Sequence, residues 1–163
     1  MKHKDITVLL LLYKTPKYTL DNLRNYKKFN IMILDQSNDI DLRKKIVKIL
    51  PNIKYYKITS KNKGFAWGIN FLSKKVKTKF FLCSQPDVKI FYNDILRLKK
   101  SFQKNKDAII SIPHIYSLNN FNLKQAKKKK IVNVERFIGA IFLSEKKKFA
   151  KIKKFDEDFF FYW

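Results

Sequence analysis

The sequence predicts an α/β fold in which a mainly parallel central sheet carries helices on both faces. Short apolar segments alternate with longer amphipathic segments along most of the chain, and this alternation is typical of strands joined by crossover helices. At 163 residues the chain is long enough for one domain with an ordinary core. Its apolar fraction of 45% and its aromatic fraction of 15% are those of a sequence that folds.

Five elements are predicted in the first part of the chain. Residues 6–12 form a near-continuous apolar run, as expected of a strand that is covered on both faces. Leu20, Leu23 and Tyr26 have helical spacing within 17–29, which predicts a helix there. The next three elements are a strand at 31–34, a helix at 42–50, which Pro51 stops, and a strand at 53–58.

The second part of the chain continues this alternation. It contains a helix at 65–76, a strand at 79–83, a helix at 94–103, a strand at 108–112 that Pro113 closes, and a late strand at 137–143. The polar, lysine-rich segment 116–130 predicts a mobile basic loop over 114–130. We therefore expect a single domain over 1–163, with a ligand-binding half at 1–113 and a second, incomplete half at 131–163.

The net charge of +24 at pH 7 raises the question of a nucleic-acid or membrane partner. All but four of the 37 basic residues are lysines, whereas specific recognition of phosphates and bases favours the planar fork of arginine. An AT-rich genome also encodes a lysine-rich composition. We therefore expect no specific nucleic-acid partner and assign the charge mainly to a solvated surface, with attraction to an anionic membrane as an alternative.

The single cysteine and the N-terminus bear on the cellular compartment. Cys83 has no partner for an internal disulfide, which fits a reducing cytosol. The apolar run at 6–13 resembles the core of a signal peptide, but no small-residue cleavage site follows it and it is too short to span a bilayer. We expect a cytoplasmic protein, with peripheral contact at the inner face of the membrane as an alternative.

Polar residues follow the predicted strands, at the edge of the sheet where ligands of such folds bind. Asp35 and Asp87 each come after an apolar run, so we expect both carboxylates to project into one crevice. One aspartate alone could equally cap a helix or a turn. Two at matching strand ends favour a binding site. The other polar residues at these ends are Thr15, Asn62 and Gln85.

Glycine is rare in this chain, with only Gly64, Gly68 and Gly139. The first two lie in "NKGFAWGIN", at the start of a predicted helix, where glycine permits close approach of a ligand and backbone amides are open to an anion. Gly68 could instead serve only helix packing. Neither a Walker loop nor a G-x-G-x-x-G pattern occurs, which disfavours a P-loop nucleotidase and a dinucleotide enzyme.

Six segments in chain order are informative when taken together. They are "VLLLLYKTP", "ILDQSND", "NKGFAWGIN", "FLCSQPDV", "FIGAIFLS" and "FDEDFFFYW". This set resembles the nucleotide-sugar-dependent family-2 glycosyltransferases of the GT-A fold, especially the rhamnosyltransferase-like branch. The resemblance covers 6–163 and implies a GT-A-type fold, a nucleotide-sugar donor bound by the half at 1–113, and inversion at the anomeric carbon. It also implies a glycan or lipid-linked acceptor, as in bacterial cell-envelope polysaccharide synthesis.

The resemblance implies roles for individual residues. Asp35 would hydrogen-bond the nucleotide base, and Asp87 would face the diphosphate and bind Mg²⁺ or Mn²⁺. Many family members have two acids at this point, whereas here Gln85 takes the first position, and one carboxylate holds a divalent cation less well than two. The residues that would bind the nucleotide-sugar are Thr15, Asp35, Asn62, Gly64, Gln85 and Asp87.

In the family, the segment that resembles "FDEDFFFYW" leads into an acidic pair that contains the general base. The sequence ends at Trp163, before that pair, so we expect the base to lie beyond it and this form to transfer sugar slowly or not at all. Glu157 and Asp158 are weaker candidates for the base. The aromatic run would contribute to the acceptor site or pack on the sheet, and its exposure would favour self-association. The predicted acceptor-binding residues are Gly139, Tyr162 and Trp163.

Three functional hypotheses follow. The first is an inverting glycosyltransferase, or the donor-binding part of one, that uses a nucleotide-sugar and a divalent metal. The second is a non-catalytic nucleotide-sugar-binding fragment without the general base. The third, a basic nucleic-acid-binding domain, depends on charge alone. We expect His114 to be a structural histidine. The lysine runs at 127–130 and 146–148 are expected to form solvated faces.

Overall fold

The computed structural model describes residues 3–115 and 131–160, which form a six-stranded sheet with helices on both faces. The strands lie in the order β3-β2-β1-β4-β6-β5. The predicted fold class is confirmed. The strands are β1 (His3–Leu12), β2 (Phe29–Asp35), β3 (Ile53–Ile58), β4 (Phe80–Ser84), β5 (Ile110–Ser111) and β6 (Ile141–Glu145).

In the described part of the chain, five helices connect or follow these strands. Within the described residues, no helix has the length and apolar character needed to cross a bilayer. Of the predicted basic loop at 114–130, residues 116–130 lie outside the described residues. The helices are a 3₁₀ helix (Lys17–Tyr26), α1 (Ile40–Ile49), α2 (Phe65–Lys75), α3 (Tyr92–Lys104) and α4 (Lys146–Lys151).

The direction of the strands places one end of each parallel strand at the same edge of the sheet. β1 pairs in parallel with β2, where Leu12 lies opposite Asp35, and with β4, where Leu10 lies opposite Ser84. β2 also pairs in parallel with β3. β6 runs antiparallel between β4 and β5. The segments that follow β1, β2 and β4 therefore meet at one edge.

Alternation of side chains along β1 explains why its sequence is apolar without interruption. Val8 and Leu10 point to a core formed with the 3₁₀ helix, α1 and α3, whereas Leu9 points to a second core formed with α2 and α4. All three side chains are fully buried. Cys83 is buried in the second core, and this burial raises the pKa of its thiol.

The predicted helix at 17–29 is shorter than expected and belongs to a different helix type. It is a 3₁₀ helix that ends at Tyr26, and the hydrogen bond from the Thr19 N–H to the Pro16 carbonyl (3.1 Å) spans three residues. Phe29 instead begins β2, because its side chain packs into the first core and is only 1% exposed.

The predicted late strand at 137–143 begins four residues later, at Ile141. A turn at Gly139 and Ala140 precedes it, and the Ala140 carbonyl accepts a hydrogen bond from the Gln85 N–H (2.9 Å). The other predicted elements differ from the observed ones by at most three residues at either end. The lysine-rich sequence of α4 has no apolar periodicity, and Phe149 is its one buried residue.

Candidate functional site

A cleft of about 630 Å³ lies at the edge of the sheet where the parallel strands end. Its walls come from the segments that follow β1, β2, β3 and β4, the start of α2, the segment before β6 and the C-terminal segment 155–160. Six residues predicted to bind donor or acceptor line it. They are Thr15, Asn62, Gly64, Gln85, Asp87 and Gly139.

The turn that carries Asp87 is fixed by contacts beneath it. Ser84, the last residue of β4, is fully buried, and its hydroxyl shares a hydrogen bond of 2.7 Å with the Tyr26 hydroxyl. Burial raises the pKa of Tyr26, so this phenol stays neutral. The Asn22 side-chain amide donates to the Pro86 carbonyl (3.1 Å). Asp87 itself is exposed and lines the cleft.

The acids near this turn limit how it could hold a metal. Within residues 3–115 and 131–160, no three or more His, Cys, Asp or Glu side chains form a group that could hold a metal ion. Mg²⁺ is commonly bound through one or two carboxylates together with substrate phosphates and water. Asp87 therefore fits a cation that binds with a diphosphate, rather than one that the protein holds alone.

Asp35 lies at the end of β2 but does not line the cleft. The side chain is fully buried and is not among the cleft-lining residues. Its Oδ1 accepts hydrogen bonds from the Ser37 N–H (2.9 Å) and hydroxyl (2.6 Å), and its Oδ2 accepts one from the Tyr56 hydroxyl (3.2 Å). Burial, and then the Asp35 carboxylate, raise the pKa of Tyr56, so the phenol stays protonated and donates.

The prediction that both aspartates project into one crevice is therefore wrong for Asp35. Its carboxylate organises the turn after β2, because Ser37 and Tyr56 use both of its oxygens. Whether it also binds a nucleotide base stays a prediction. His114 is exposed and does not line the cleft, while Tyr162 and Trp163 lie outside the described residues.

Gln36 lines the cleft although the sequence analysis assigns it no role. Its side chain is only 4% exposed. The amide Nε2 donates to the Gly64 carbonyl (3.2 Å), and Oε1 accepts from the Lys63 N–H (2.8 Å). Gln36 thus fixes the loop 62–64 to the end of β2. Its place directly after Asp35, at the carboxyl end of a strand, was the available signal.

We expect Gln36→Leu to lower the free energy of unfolding by about 1–3 kcal/mol, because it leaves the Lys63 N–H without its acceptor and removes one of the two donors to the Gly64 carbonyl, the other being the Gly68 N–H. Urea denaturation measures this loss. Gln103→Leu is the matched control, since the same change then falls on an exposed residue of α3. Equal denaturation midpoints for the two variants would contradict the role assigned to Gln36.

The C-terminal segment brings an unpredicted acid into the cleft. Asp156 lines the cleft, and so does the ring of Phe159. The Glu157 carboxylate accepts a hydrogen bond from the Asn70 amide (2.8 Å) instead, and neither Glu157 nor Asp158 is among the lining residues. The two sequence-based candidates for the general base are thus placed outside the cleft.

Several solved structures have a fold similar to that of this chain. The fragment of S. aureus TarS comprising residues 1–349 has a TM-score of 0.67 at 16% sequence identity. The match covers 97% of this chain and 51% of the TarS fragment. The same fragment in complex with UDP-GlcNAc has a TM-score of 0.69 at 16% identity, with coverage of 96% and 49%. The mannosyltransferase PcManGT from Pyrobaculum calidifontis, in complex with GDP-Man and Mn²⁺, has a TM-score of 0.72 at 14% identity, with coverage of 94% and 48%.

At these identities the likeness is one of fold, and the chain spans about half the length of these three structures. No protein of curated function matches the sequence. The family model for glycosyl transferase family 2 matches residues 12–162, which is nearly the whole chain. This chain therefore belongs to glycosyl transferase family 2.

Proposed function

We propose that the cleft binds a nucleotide-sugar and that the chain is the donor-binding part of an inverting glycosyltransferase with a glycan or lipid-linked acceptor. The observation that carries this proposal is the cleft at the ends of β1, β2 and β4, with Asp87 exposed in it, in a chain of family 2. Similar folds are known with UDP-GlcNAc and with GDP-Man and Mn²⁺, which supports this class of donor.

Different residues of the cleft would contact different parts of the donor. Asp87 would hold a divalent cation against the diphosphate, and the loop 62–64, fixed by Gln36, would line the nucleotide. When bound, the cation would offset the negative charge that develops on the leaving diphosphate. The rhamnosyltransferase-like branch stays a prediction.

Binding without turnover is the second candidate function. Transfer requires a base near the acceptor hydroxyl, and Glu157 and Asp158 are both placed outside the cleft. This observation favours a nucleotide-sugar-binding unit that leaves the proton transfer to other residues. The two candidates predict the same donor site and differ only in catalysis.

Titration of the purified protein with nucleoside diphosphates and their sugars, with and without Mn²⁺, tests the proposal. We expect thermal stabilisation by at least one nucleotide that increases with Mn²⁺. Release of nucleoside diphosphate in the presence of acceptor glycans supports the enzyme, and stabilisation without release supports the binding unit. Salt-sensitive binding to DNA or RNA, with no response to any nucleotide, would favour a nucleic-acid-binding domain and contradict both.

Asp35→Asn should weaken nucleotide binding whether or not Mn²⁺ is present. An amide nitrogen would replace one acceptor oxygen, so the hydrogen bonds from Ser37 or Tyr56 lose their acceptor. A mismatch of this kind costs about 1–3 kcal/mol, and it would disturb the turn from which the next residue, Gln36, holds the cleft-lining loop 62–64. Calorimetry measures the affinity, and Asp41→Asn, an exposed acid on α1, is the control. If only the Mn²⁺-dependent part of the affinity falls, the roles of Asp35 and Asp87 have been exchanged.

A further inference from the structure

We propose that Asp156 binds a hydroxyl group of the sugar that the donor carries, and that Asn70 positions Asp156 through Phe155 and Glu157. This inference rests on the proposed function and adds the sugar-binding residue. Asp156, Glu157 and Asp158 are consecutive acids, and the structure gives each a different environment. Only Asp156 lines the cleft.

Asn70 fixes the backbone immediately before Asp156. Its side chain is 2% exposed, on the helix α2. The Asn70 Oδ1 accepts from the Phe155 N–H (3.2 Å), and its Nδ2 donates to the Phe155 carbonyl (2.8 Å). The same Nδ2 donates to the Glu157 carboxylate (2.8 Å). One buried amide thus holds the residues on either side of Asp156.

The ring of Phe155 anchors this segment in the second core. It contacts the rings of Phe65, Phe142 and Phe149, with centroid distances of 5.9, 5.7 and 5.3 Å. Farther along, the Phe160 carbonyl accepts a hydrogen bond from the Phe65 N–H (3.1 Å) at the start of α2. Because the segment 155–160 is attached at both ends, Asp156 is held in place before any ligand arrives, which lowers the entropic cost of binding.

The chemistry of Asp156 suits a hydroxyl group. Asp156 is exposed and lines the cleft, and among its described contacts its carboxylate receives one hydrogen bond, from the Asp158 N–H (3.0 Å) to Oδ1. An ionised carboxylate has about four acceptor sites, so capacity remains for hydroxyl donors. Phe155 and Phe159 line the cleft beside it. A carboxylate next to apolar ring surface matches a sugar, which presents hydroxyl groups at its edge and C–H groups on its faces.

The sugar-dependent part of donor affinity tests this role. UDP is compared with UDP-GlcNAc, GDP with GDP-Man, and further UDP-, GDP- and dTDP-sugars with their own diphosphates, by calorimetry with Mn²⁺. In the wild type, one sugar should add affinity over its diphosphate. Asp156→Asn should reduce that gain by about 10- to 100-fold, the usual range for a hydrogen bond to a charged group. The affinity of Asp156→Asn for the diphosphate alone should stay unchanged. Asp158→Asn, the control variant, should keep the full sugar-dependent gain.

Variants of Glu157 test the positioning. Glu157 is exposed, so Glu157→Ala should fold while losing the bond to Asn70, and its sugar-dependent gain should fall. Glu157→Gln can still accept from the Asn70 amide and should restore the gain. If Glu157 acted on stability alone, Glu157→Ala and Glu157→Gln would differ in sugar-dependent gain only when their melting temperatures also differed. Equal sugar-dependent gains in the wild type, Glu157→Ala and Glu157→Gln would show that Glu157 does not help to position Asp156.

The remaining outcomes separate this inference from the proposed function. If Asp156→Asn keeps the full sugar-dependent gain, Asp156 does not bind the sugar. The same conclusion follows if the variant loses as much affinity for the diphosphate as for the nucleotide-sugar. If the wild type binds diphosphates but no sugar adds affinity, the inference fails while the nucleotide site stands. If the wild type binds no nucleotide at all, the proposed function fails, and the inference fails with it.

Discussion

Asp87→Ala should abolish Mn²⁺-dependent nucleotide binding and leave the fold intact. The carboxylate is exposed, whereas its turn is fixed through the Pro86 carbonyl and the buried Ser84 hydroxyl. Removing the side chain therefore disturbs little of the structure. A cation held by one carboxylate and a diphosphate loses its protein ligand altogether, so the loss should be complete. Calorimetry with a nucleoside diphosphate and Mn²⁺ measures it.

Two comparisons make the Asp87 result specific. Asp107→Ala removes an exposed acid from the segment after α3 and should keep wild-type affinity. Mn²⁺ without nucleotide should bind weakly to every form, because no other acid, His or Cys within the described residues completes a metal-binding group. Unchanged Mn²⁺-dependent affinity in Asp87→Ala would show that the cation is held elsewhere.

The position of the cleft could be predicted because it follows from strand direction alone. Apolar runs mark β1, β2 and β4. Because the strands are parallel, the residues that follow them lie at one edge of the sheet. Thr15 and Gln85, which follow β1 and β4, therefore line the cleft as expected, and so does Asn62 after the parallel strand β3. Which way a side chain points at such an edge is a different question. That depends on partners distant in sequence.

Asp35 shows this dependence. Its Oδ1 accepts from Ser37, two residues on, but its Oδ2 accepts from Tyr56, which is 21 residues away and reaches it only once β2 and β3 have paired. The choice of Asp156 over Glu157 likewise depends on Asn70, which lies 85 residues before Phe155. No local pattern in the sequence encodes either contact. Residue type and strand position predict the cleft, whereas the fold decides which carboxylates face it.

The 3₁₀ helix is a case in which the sequence held more information than its pattern suggested. Leu20, Leu23 and Tyr26 are all buried and recur every three residues. This spacing is acceptable for an α-helix, but it is the repeat of a 3₁₀ helix, in which residues three apart lie on one line. A search for the period of 3.6 residues alone could not separate the two.

The second large effect is expected at Gly64. Its φ is +83° and its ψ is 173°, a conformation that is almost confined to glycine and costs other residues about 1–3 kcal/mol. A Cβ atom there would overlap the Phe160 carbonyl oxygen, which is backbone and cannot rotate aside. Gly64→Ala should therefore lower the free energy of unfolding by more than that conformational cost, as measured by urea denaturation.

The other two glycines provide a graded control for this prediction. A Cβ on Gly68 would lie 2.5 Å from the Leu11 Cδ1, the end of a side chain that can rotate, and alanine also favours the helix. A Cβ on Gly139 would lie 3.3 Å from the Phe65 ring, which needs only a small shift. The loss of stability should thus be largest for Gly64→Ala and smallest for Gly139→Ala.

Gly64→Ala should also affect the cleft, because this glycine joins two of its walls. Its carbonyl accepts from Gln36, and the next N–H, that of Phe65, donates to the Phe160 carbonyl. Displacing Phe160 loosens the segment that carries Asp156, so sugar-dependent affinity should fall together with stability. If Gly64→Ala is as stable as Gly139→Ala and binds every ligand normally, the segment 155–160 does not pack against α2 in solution.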